Sequence, residues 1–412
     1  MAHSIPVQVA GDIMTILPLF RCLCLSSVLI LITSSAALAQ HDGGGVTGGG
    51  MIGGSTERSS KPKASNKPSA TTTPRKRPTT APARRPTTTA EAARVTADVY
   101  YQQGEVRYNA KKYREALESY LKATEINPSM SSALYRIGWI YNDLEEYESA
   151  IDPLKRVIAL QPNYAAAHFE LGYAYKKLER FDEALAAFLI TVRNNPDYPT
   201  AYYEAGWIYN EQKNYAEAIK MLNSALNYRN GYAEAHNELG YAFRHLNRNA
   251  EAIQQYKEAI RLKPDMGLAH MGLGDVYYYN TKQYAEAATA YKQGLQYRPN
   301  NVTALYNLGW CYNDLERYSE AVVELRKAVG LQPNYPEAYN EMGYSLHQLG
   351  RYMEAVQQYQ TAIRQKSNYP SAHFNLGMSF LALNNRNAAL EQYRILQRLD
   401  AARATKLFNH IK

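Results

Sequence analysis

The chain has 412 residues and a formal net charge of +8, and most of the excess charge lies between residues 40 and 91, which hold nine Lys or Arg against three acidic residues. The basic pI therefore does not indicate a nucleic-acid-binding surface in the rest of the chain, and no nucleic-acid partner is expected. Only one of the three cysteines, Cys311, follows residue 39. A disulfide within that part of the chain is therefore excluded.

Residues 1–39 have the order of a secretory signal peptide. Arg21 precedes an apolar run over residues 22–32, and small residues follow up to Ala39, where cleavage is predicted. The run is shorter than the roughly 20 residues of a membrane-spanning helix, so no span is expected after cleavage, and a retained signal anchor is the alternative. Met14 would give the signal a more ordinary start. The chain is therefore predicted to be exported, either to a periplasm or out of the cell.

Residues 40–91 change to a Gly-rich and then a Lys-, Thr- and Pro-rich composition. Such a segment does not bury enough apolar surface to fold, so a disordered basic linker is predicted. One interpretation is a flexible spacer. The other is an electrostatic contact with anionic envelope surfaces.

One glycine recurs nine times with a step of 34 residues, except for one step of 35. The positions are Gly104, Gly138, Gly172, Gly206, Gly240, Gly274, Gly309, Gly343 and Gly377. An alanine follows each by twelve or thirteen residues, and a proline often closes the unit. This pattern predicts a solenoid of helix-turn-helix units. The extra residue predicts a local change of superhelix pitch near residues 279–283.

The motif resembles the tetratricopeptide repeat family over about residues 97–403, with units such as ALYNLGWCYNDLERYSEAVVELRKAVGLQPNY. The resemblance implies an all-α fold, a right-handed α-solenoid of about nine repeats over residues 92–412. The repeats are predicted to start near residues 97, 131, 165, 199, 233, 267, 302, 336 and 370. The pattern departs locally at Asn230 and Ser367, which stand where a closing proline is missing. The resemblance also implies a non-enzymatic protein that binds protein or peptide partners in a concave groove.

Helical phase places a set of aromatic and amide residues on the groove side of the first helices. Tryptophan directly follows the repeat glycine at Trp139, Trp207 and Trp310, and tyrosine does so at Tyr173, Tyr241 and Tyr344. Asparagine lies three residues beyond each tryptophan, at Asn142, Asn210 and Asn313. We predict the rings as anchors for a peptide and the amides as grips on its backbone. The alternative is that the tryptophans pack between repeats.

The balance of charge at the groove positions favours an extended basic or proline-containing peptide. These positions hold eight acidic residues, Asp98, Glu105, Asp143, Glu211, Glu234, Asp275, Asp314 and Glu337, and three basic residues, Lys176, Lys177 and Arg244. Residues 40–91 are themselves such a peptide, and we hypothesise that they occupy the groove until a partner displaces them. Two alternatives remain open. One is a carbohydrate-binding module, because aromatic rings also stack on sugars, and the other is an accessory subunit that presents substrate to a separate enzyme.

No catalytic or metal-binding constellation is evident. Four histidines, His168, His236, His270 and His373, each lie four residues before a repeat glycine in a different unit, which favours packing over metal binding. Cys311 is predicted to be a buried, unreactive thiol. We therefore expect no enzyme activity, no metal and no cofactor.

Overall fold

The computed structural model describes residues 89–412, and the predicted signal peptide and nearly all of the predicted linker lie outside them. The described residues form nineteen α-helices and one π-helical turn, with no strand. The first helices of the nine repeats are α1 (Thr89–Asn109), α3 (Ser131–Asp143), α5 (Ala165–Lys177), α7 (Pro199–Glu211), α9 (Ala233–His245), α11 (Gly267–Asp275), α13 (Val302–Asp314), α15 (Pro336–Gln348) and α17 (Pro370–Ala382). The prediction of an all-α repeat solenoid is confirmed. The domain boundaries stay predictions.

The second helices follow after short turns and pack against the first helices of their own repeats. They are α2 (Tyr113–Ile126), α4 (Tyr147–Leu160), α6 (Phe181–Asn194), α8 (Tyr215–Tyr228), α10 (Asn249–Leu262), α12 (Tyr284–Tyr297), α14 (Tyr318–Leu331), α16 (Tyr352–Gln365) and α18 (Arg386–Leu399). Each second helix except α18 also contacts the first helix of the next repeat. The helix α19 (Ala401–Ile411) follows and buries Leu407 and Ile411. It covers the end of the stack, as solenoid ends require.

The repeat glycine allows the two helices of a hairpin to approach closely. A Cβ atom placed on Gly138 would lie 2.5 Å from Cγ of Leu154, which is fully buried on the second helix. The same large-side-chain contact recurs at Gly172 with Phe188. The regular glycine is therefore a packing requirement of the hairpin.

The turn between the two helices has the same backbone form in eight of the nine repeats, and the sixth differs at its π-helical turn. In the second repeat, the N–H of Glu146 donates to the carbonyl of Tyr141 at 2.8 Å and the N–H of Glu145 to that of Asn142 at 3.2 Å. This pair of bonds defines a Schellman motif, whose central residue adopts a left-handed conformation. Glu145 has φ of 61°. Gly350 is the only glycine at this position within the described repeats, and the other eight carry side chains there.

We expect Glu145→Gly to stabilise the chain by about 0.5–1 kcal/mol, because a left-handed residue with a Cβ atom costs about 1–2 kcal/mol and glycine does not. Gly350→Ala is the matched control and should destabilise by about 1 kcal/mol. Urea denaturation of both variants tests this. A loss of stability in Glu145→Gly would contradict it.

The extra residue of the sixth repeat is accommodated in a π-helical turn, Val276–Asn280, at the end of the first helix. A π turn holds one more residue than an α turn at the same place. The turn buries Tyr278, and the second helix then begins at Tyr284 in the usual way. The insertion thus lies at residues 276–280, and the pitch change stays a prediction.

Among residues 89–412, no helix has the length and apolar character needed to cross a bilayer.

Candidate functional site

Consecutive first helices contact one another along the described solenoid. We call their surface that faces away from the second helices the groove face, and the junction of two consecutive first helices a seam. Each position on the groove face recurs once per repeat. A side chain at one of these positions therefore either reaches into a seam or faces the groove.

The three tryptophans are half-buried in seams. The ring centroid of Trp139 lies 5.4 Å from that of Tyr108 in the preceding first helix and 6.1 Å from that of Tyr135 in its own. Trp310 repeats this arrangement with Tyr278 at 5.4 Å and Tyr306 at 5.7 Å. Each ring therefore packs between repeats and keeps some surface exposed, and its role as a peptide anchor stays a prediction.

A cation and a carboxylate also lie beside the ring of Trp139 in its seam. The guanidinium of Arg136 lies 5.0 Å from the ring centroids of both Trp139 and Tyr108. Its Nε is 2.8 Å from Oε1 of Glu105, and its Nη2 donates to Oε2 at 2.9 Å. Tyr120 also donates to this carboxylate. The bidentate pair fixes the guanidinium over the rings.

The seam at Trp207 has the same chemistry from different positions. The ammonium of Lys176 lies 4.1 Å from the centroid of the Trp207 ring and 2.5 Å from Oε2 of Glu204. The side chains of Lys176 and Glu204 are only 19% and 8% exposed. The cation is therefore held against the ring by a mostly buried ion pair.

Trp310 differs, because no Lys or Arg of residues 89–412 lies over its ring. The three aromatic rings around it are those of Tyr278, Tyr279 and Tyr306. Hydroxyl groups link this cluster to polar side chains, since Tyr278 donates to Oδ2 of Asp314 at 2.5 Å. The seam is therefore aromatic and acidic.

The three predicted tyrosines are half-buried on the groove face. Each packs edge-on against the tyrosine that begins the preceding second helix, with centroid separations of 6.2 Å for Tyr173, Tyr241 and Tyr344. One edge of each ring is thereby fixed. Lys177 lies 5.4 Å from the ring centroid of Tyr173 and Arg244 lies 5.8 Å from that of Tyr241, so these rings form the groove face together with cations of the chain.

The structure corrects the predicted role of the three asparagines. Asn142 is 3% exposed, and its Nδ2 donates to the backbone carbonyl of Glu170 at 3.0 Å and to its carboxylate at 2.9 Å. Asn210 binds Glu238 in the same way, and Asn313 binds Glu341 at 3.4 and 3.3 Å. Each amide therefore donates to a backbone carbonyl of the next first helix rather than to a bound peptide. The reason is that this position points into the seam, which helical phase alone does not reveal.

The groove face is also less acidic than its sequence indicates. Four of the eight predicted acidic residues form ion pairs within the chain: Glu105 with Arg136, Glu234 with Lys263, Asp275 with Arg244 and Glu337 with Lys366. Arg136, Lys263 and Lys366 were not among the groove bases counted from the sequence. At the predicted groove positions of the three tryptophan repeats, the exposed acidic residues are Asp143, Glu211 and Asp314.

Glu341 is a half-buried titratable group in the seam of the seventh and eighth repeats. Its carboxylate accepts from Nδ2 of Asn313 at 3.3 Å and of Asn340 at 3.1 Å. Burial, opposed by these two hydrogen bonds and assisted by the nearby charge of Asp314, raises the pKa of Glu341 to about 7. The folded chain therefore holds a proton here that the unfolded chain loses at lower pH.

We expect this proton to make stability depend on pH. The folded pKa lies above the unfolded value, so the contribution is fully present below pH of about 4.3 and is lost as the pH rises through 7. Glu341→Gln should therefore gain about 2 kcal/mol more relative to the native chain at pH 8 than at pH 5. Urea denaturation at both pH values measures this. Glu316→Gln, at an exposed turn, is the control, and an equal gain at both pH values would contradict the prediction.

The histidines and the cysteine have packing roles. His168 is buried with Nε2 2.8 Å from the carbonyl of Pro162, and His270 is likewise 3.0 Å from that of Pro264. His373 is also buried, and burial raises the pKa of the Cys311 thiol. No group of three or more His, Cys, Asp or Glu in residues 89–412 is placed to hold a metal ion.

Sequence reasoning missed Arg136 and Lys176, the two cations that stack on tryptophans. Arg136 precedes Trp139 by three residues, a spacing that places both on one side of a helix and could have been read. Lys176 was counted as a groove base, but its contact with Trp207 joins two repeats and has no local signal. The rings of Tyr108 and Tyr278 were missed for the same reason.

The nine stacked hairpins, with buried glycine and alanine positions and a continuous groove face, define an α-solenoid of the helical-repeat class. Comparison with models of protein families supports this class. A model described as TPR repeat matches residues 138–179, 240–280 and 343–384. Models described as tetratricopeptide repeat match residues 97–130, 169–232, 271–336 and 325–357. Together they cover more than half of the chain, which belongs to the tetratricopeptide repeat family and has the fold of a protein-protein interaction scaffold.

Several solved structures are similar to parts of the chain. The crystal structure of MamA is 24% identical, covering 41% of this chain and 93% of MamA with a TM-score of 0.39. YrrB, described as a TPR protein with an unusual peptide-binding site, is 23% identical, covering 45% and 95% with a TM-score of 0.39. PilF of Pseudomonas aeruginosa is 22% identical, covering 52% and 97% with a TM-score of 0.45. A comparison with curated proteins finds no match.

Proposed function

We propose that the chain is an exported, non-enzymatic scaffold that binds extended segments of protein partners along the groove face. Export rests on the signal-peptide pattern of residues 1–39, which lies outside the described residues. The scaffold role rests on the repeat family. The absence of catalysis is consistent with a family that generally acts by binding.

The observation that carries the proposal is the row of half-buried aromatic rings at one position of successive first helices. Its members are Trp139, Tyr173, Trp207, Tyr241, Trp310 and Tyr344. Aromatic side chains with polar edges supply large contact area at low entropic cost, and they dominate protein recognition surfaces. Because the rings occupy the same position in six of the nine repeats, a ligand that touches several of them is extended along the solenoid.

Electrostatics favours basic or proline-containing segments as ligands. Asp143, Glu211 and Asp314 are exposed, each four residues beyond a tryptophan and therefore on the same side of its helix. Carboxylates beside aromatic rings attract cationic side chains. Binding by surface charges of this kind weakens as salt is added.

Selection from a library of random twelve-residue peptides on the immobilised whole chain tests the proposal. Enriched peptides should lose at least tenfold in affinity for a Tyr241→Ala, Tyr344→Ala double variant, because the anchoring rings are removed. Val323→Asp and Met353→Asp change exposed positions on the second helices and serve as controls. Circular dichroism confirms that each variant is folded.

The proposal fails if no peptide is enriched, or if the selected peptides lose affinity for the second-helix variants and retain it for the groove variants. Selected peptides that are rich in Lys, Arg or Pro and bind less tightly at higher salt would support the electrostatic part.

A further inference from the structure

The three tryptophan seams differ in which residues supply a cation and a carboxylate beside the indole ring. At Trp139, the cation comes from the position two residues before the repeat glycine, Arg136, and its carboxylate from Glu105. The cation thus lies between two rings and an acid.

At Trp207, the cation comes from the other side of the seam. Lys176 lies four residues after the preceding repeat glycine, and Glu204 supplies the carboxylate. Two seams of different construction therefore converge on the same combination of indole, cation and carboxylate. The convergence indicates that this combination is favourable at this position.

At Trp310, the two positions that supply the cations in the other seams hold residues without charge. The position of Arg136 is taken by Asn307, which is buried and hydrogen-bonded to the hydroxyls of Tyr279 and Tyr291. The position of Lys176 is taken by Tyr278, at the π-helical turn. Neither of these two positions places a cation over the indole, and the charge of Lys282 acts on Asp314 without forming an ion pair with it.

The carboxylate, however, is present at Trp310. Asp314 lies four residues further along the same helix, is exposed, and accepts the hydroxyl of Tyr278 through Oδ2. Its Oδ1 receives no hydrogen bond from residues 89–412. The seam therefore presents a half-exposed indole and an oriented acid to the groove.

We propose that Trp310 and Asp314 form the binding point for one Lys or Arg side chain of an extended partner peptide. The ligand cation would stack on the indole and pair with Asp314, as Arg136 and Lys176 do within the chain at the other two seams. The inference rests on the proposed function and names the ligand chemistry of one place on the groove face. Trp139 and Trp207 carry their own cations and do not need one from a ligand.

Cation–π and ion-pair contributions together set the expected size of the effect. The contribution of a cation over an indole grows as the cation is desolvated, and a carboxylate beside it adds a second attraction. Removing either the cation of the ligand or the carboxylate of the chain should therefore weaken binding by roughly fivefold to tenfold.

The test uses two synthetic probes, four Arg-Pro repeats and the same peptide with citrulline in place of arginine. Citrulline has nearly the shape of arginine but no charge. Binding of fluorescently labelled probes to the whole chain is measured by anisotropy, for the native chain, Asp314→Asn and Asp143→Asn. Asp143 stands in the same place beside Trp139, where Arg136 already lies over the ring, so Asp143→Asn is the matched control.

We expect the arginine probe to bind about tenfold more tightly than the citrulline probe, Asp314→Asn to remove most of that difference, and Asp143→Asn to leave it nearly unchanged. In a Trp139→Phe, Trp207→Phe chain, the emission of Trp310 should change saturably with the arginine probe. If that variant does not fold, the anisotropy results with the native chain and Asp314→Asn decide alone.

Equal affinity for both probes, or an unchanged preference in Asp314→Asn, would overturn the inference. If peptides from the random library still bind the groove face in that case, the proposed function stands and only the cation site is wrong. If neither probe nor any library peptide binds, both fail.

Discussion

Gly309→Ala should destabilise the chain by about 2 kcal/mol, although alanine usually stabilises a helix relative to glycine by about 0.5–1 kcal/mol. The added Cβ would lie 2.5 Å from Cγ and 2.9 Å from Cδ2 of Leu325, which is fully buried on the second helix of the same repeat. The leucine or the helix must then shift. Urea denaturation of the whole chain measures the loss.

Gly330→Ala in the same repeat is the matched control for this prediction. Gly330 lies near the end of α14 and is exposed, and a Cβ there would meet nothing within 4 Å. This variant should be more stable than the native chain by about 0.5–1 kcal/mol. If both variants move stability in the same direction, the close approach of the helices is not what the repeat glycine provides.

Glu204→Ala has the second large expected effect, a loss of about 2–3 kcal/mol. It leaves the ammonium of Lys176, whose side chain is only 19% exposed, without its carboxylate beside Trp207. Breaking a buried ion pair by removing one partner typically costs about 3–5 kcal/mol, and partial exposure reduces this. The free energy of unfolding is the measurement.

Glu354→Ala removes the ion-pair partner of Arg351 on the solvent-exposed surface, and it should leave the free energy of unfolding nearly unchanged because water screens such pairs. The double variant Lys176→Met, Glu204→Leu should recover most of the loss, because no buried charge remains without a partner. A Glu204→Ala variant as stable as Glu354→Ala would show that the seam does not hold Lys176 in place.

The repeat architecture could be predicted from the sequence because its signals are local. Packing within one hairpin fixes where the glycine and the alanine lie, as in the contact of Gly309 with Leu325. Because every hairpin has this requirement, the two residues recur every 34 residues and are visible in the sequence. The position of the extra residue was also readable, but its π-helical form was not, since an insertion can equally lengthen a turn.

The candidate site was predicted only in part, because the seams depend on the rotation between repeats. Helical phase identified the side of the first helix that holds Trp310 and Asn313, but not which of them faces the groove. In the structure, Asn313 points into the seam and donates to Glu341, whereas Trp310 is half-buried. The pairing of Lys176 with Trp207 spans 31 residues and likewise has no signature within one repeat.

The most direct test of the groove face as the binding surface is photo-crosslinking with a library-selected peptide. Benzoylphenylalanine is placed at Tyr241 on the groove face or, as a control, at the exposed Val323 of a second helix in the whole chain. The account predicts a peptide adduct at residue 241, competed by excess unlabelled peptide, and none at residue 323. A competed adduct at residue 323 and none at residue 241 would contradict it.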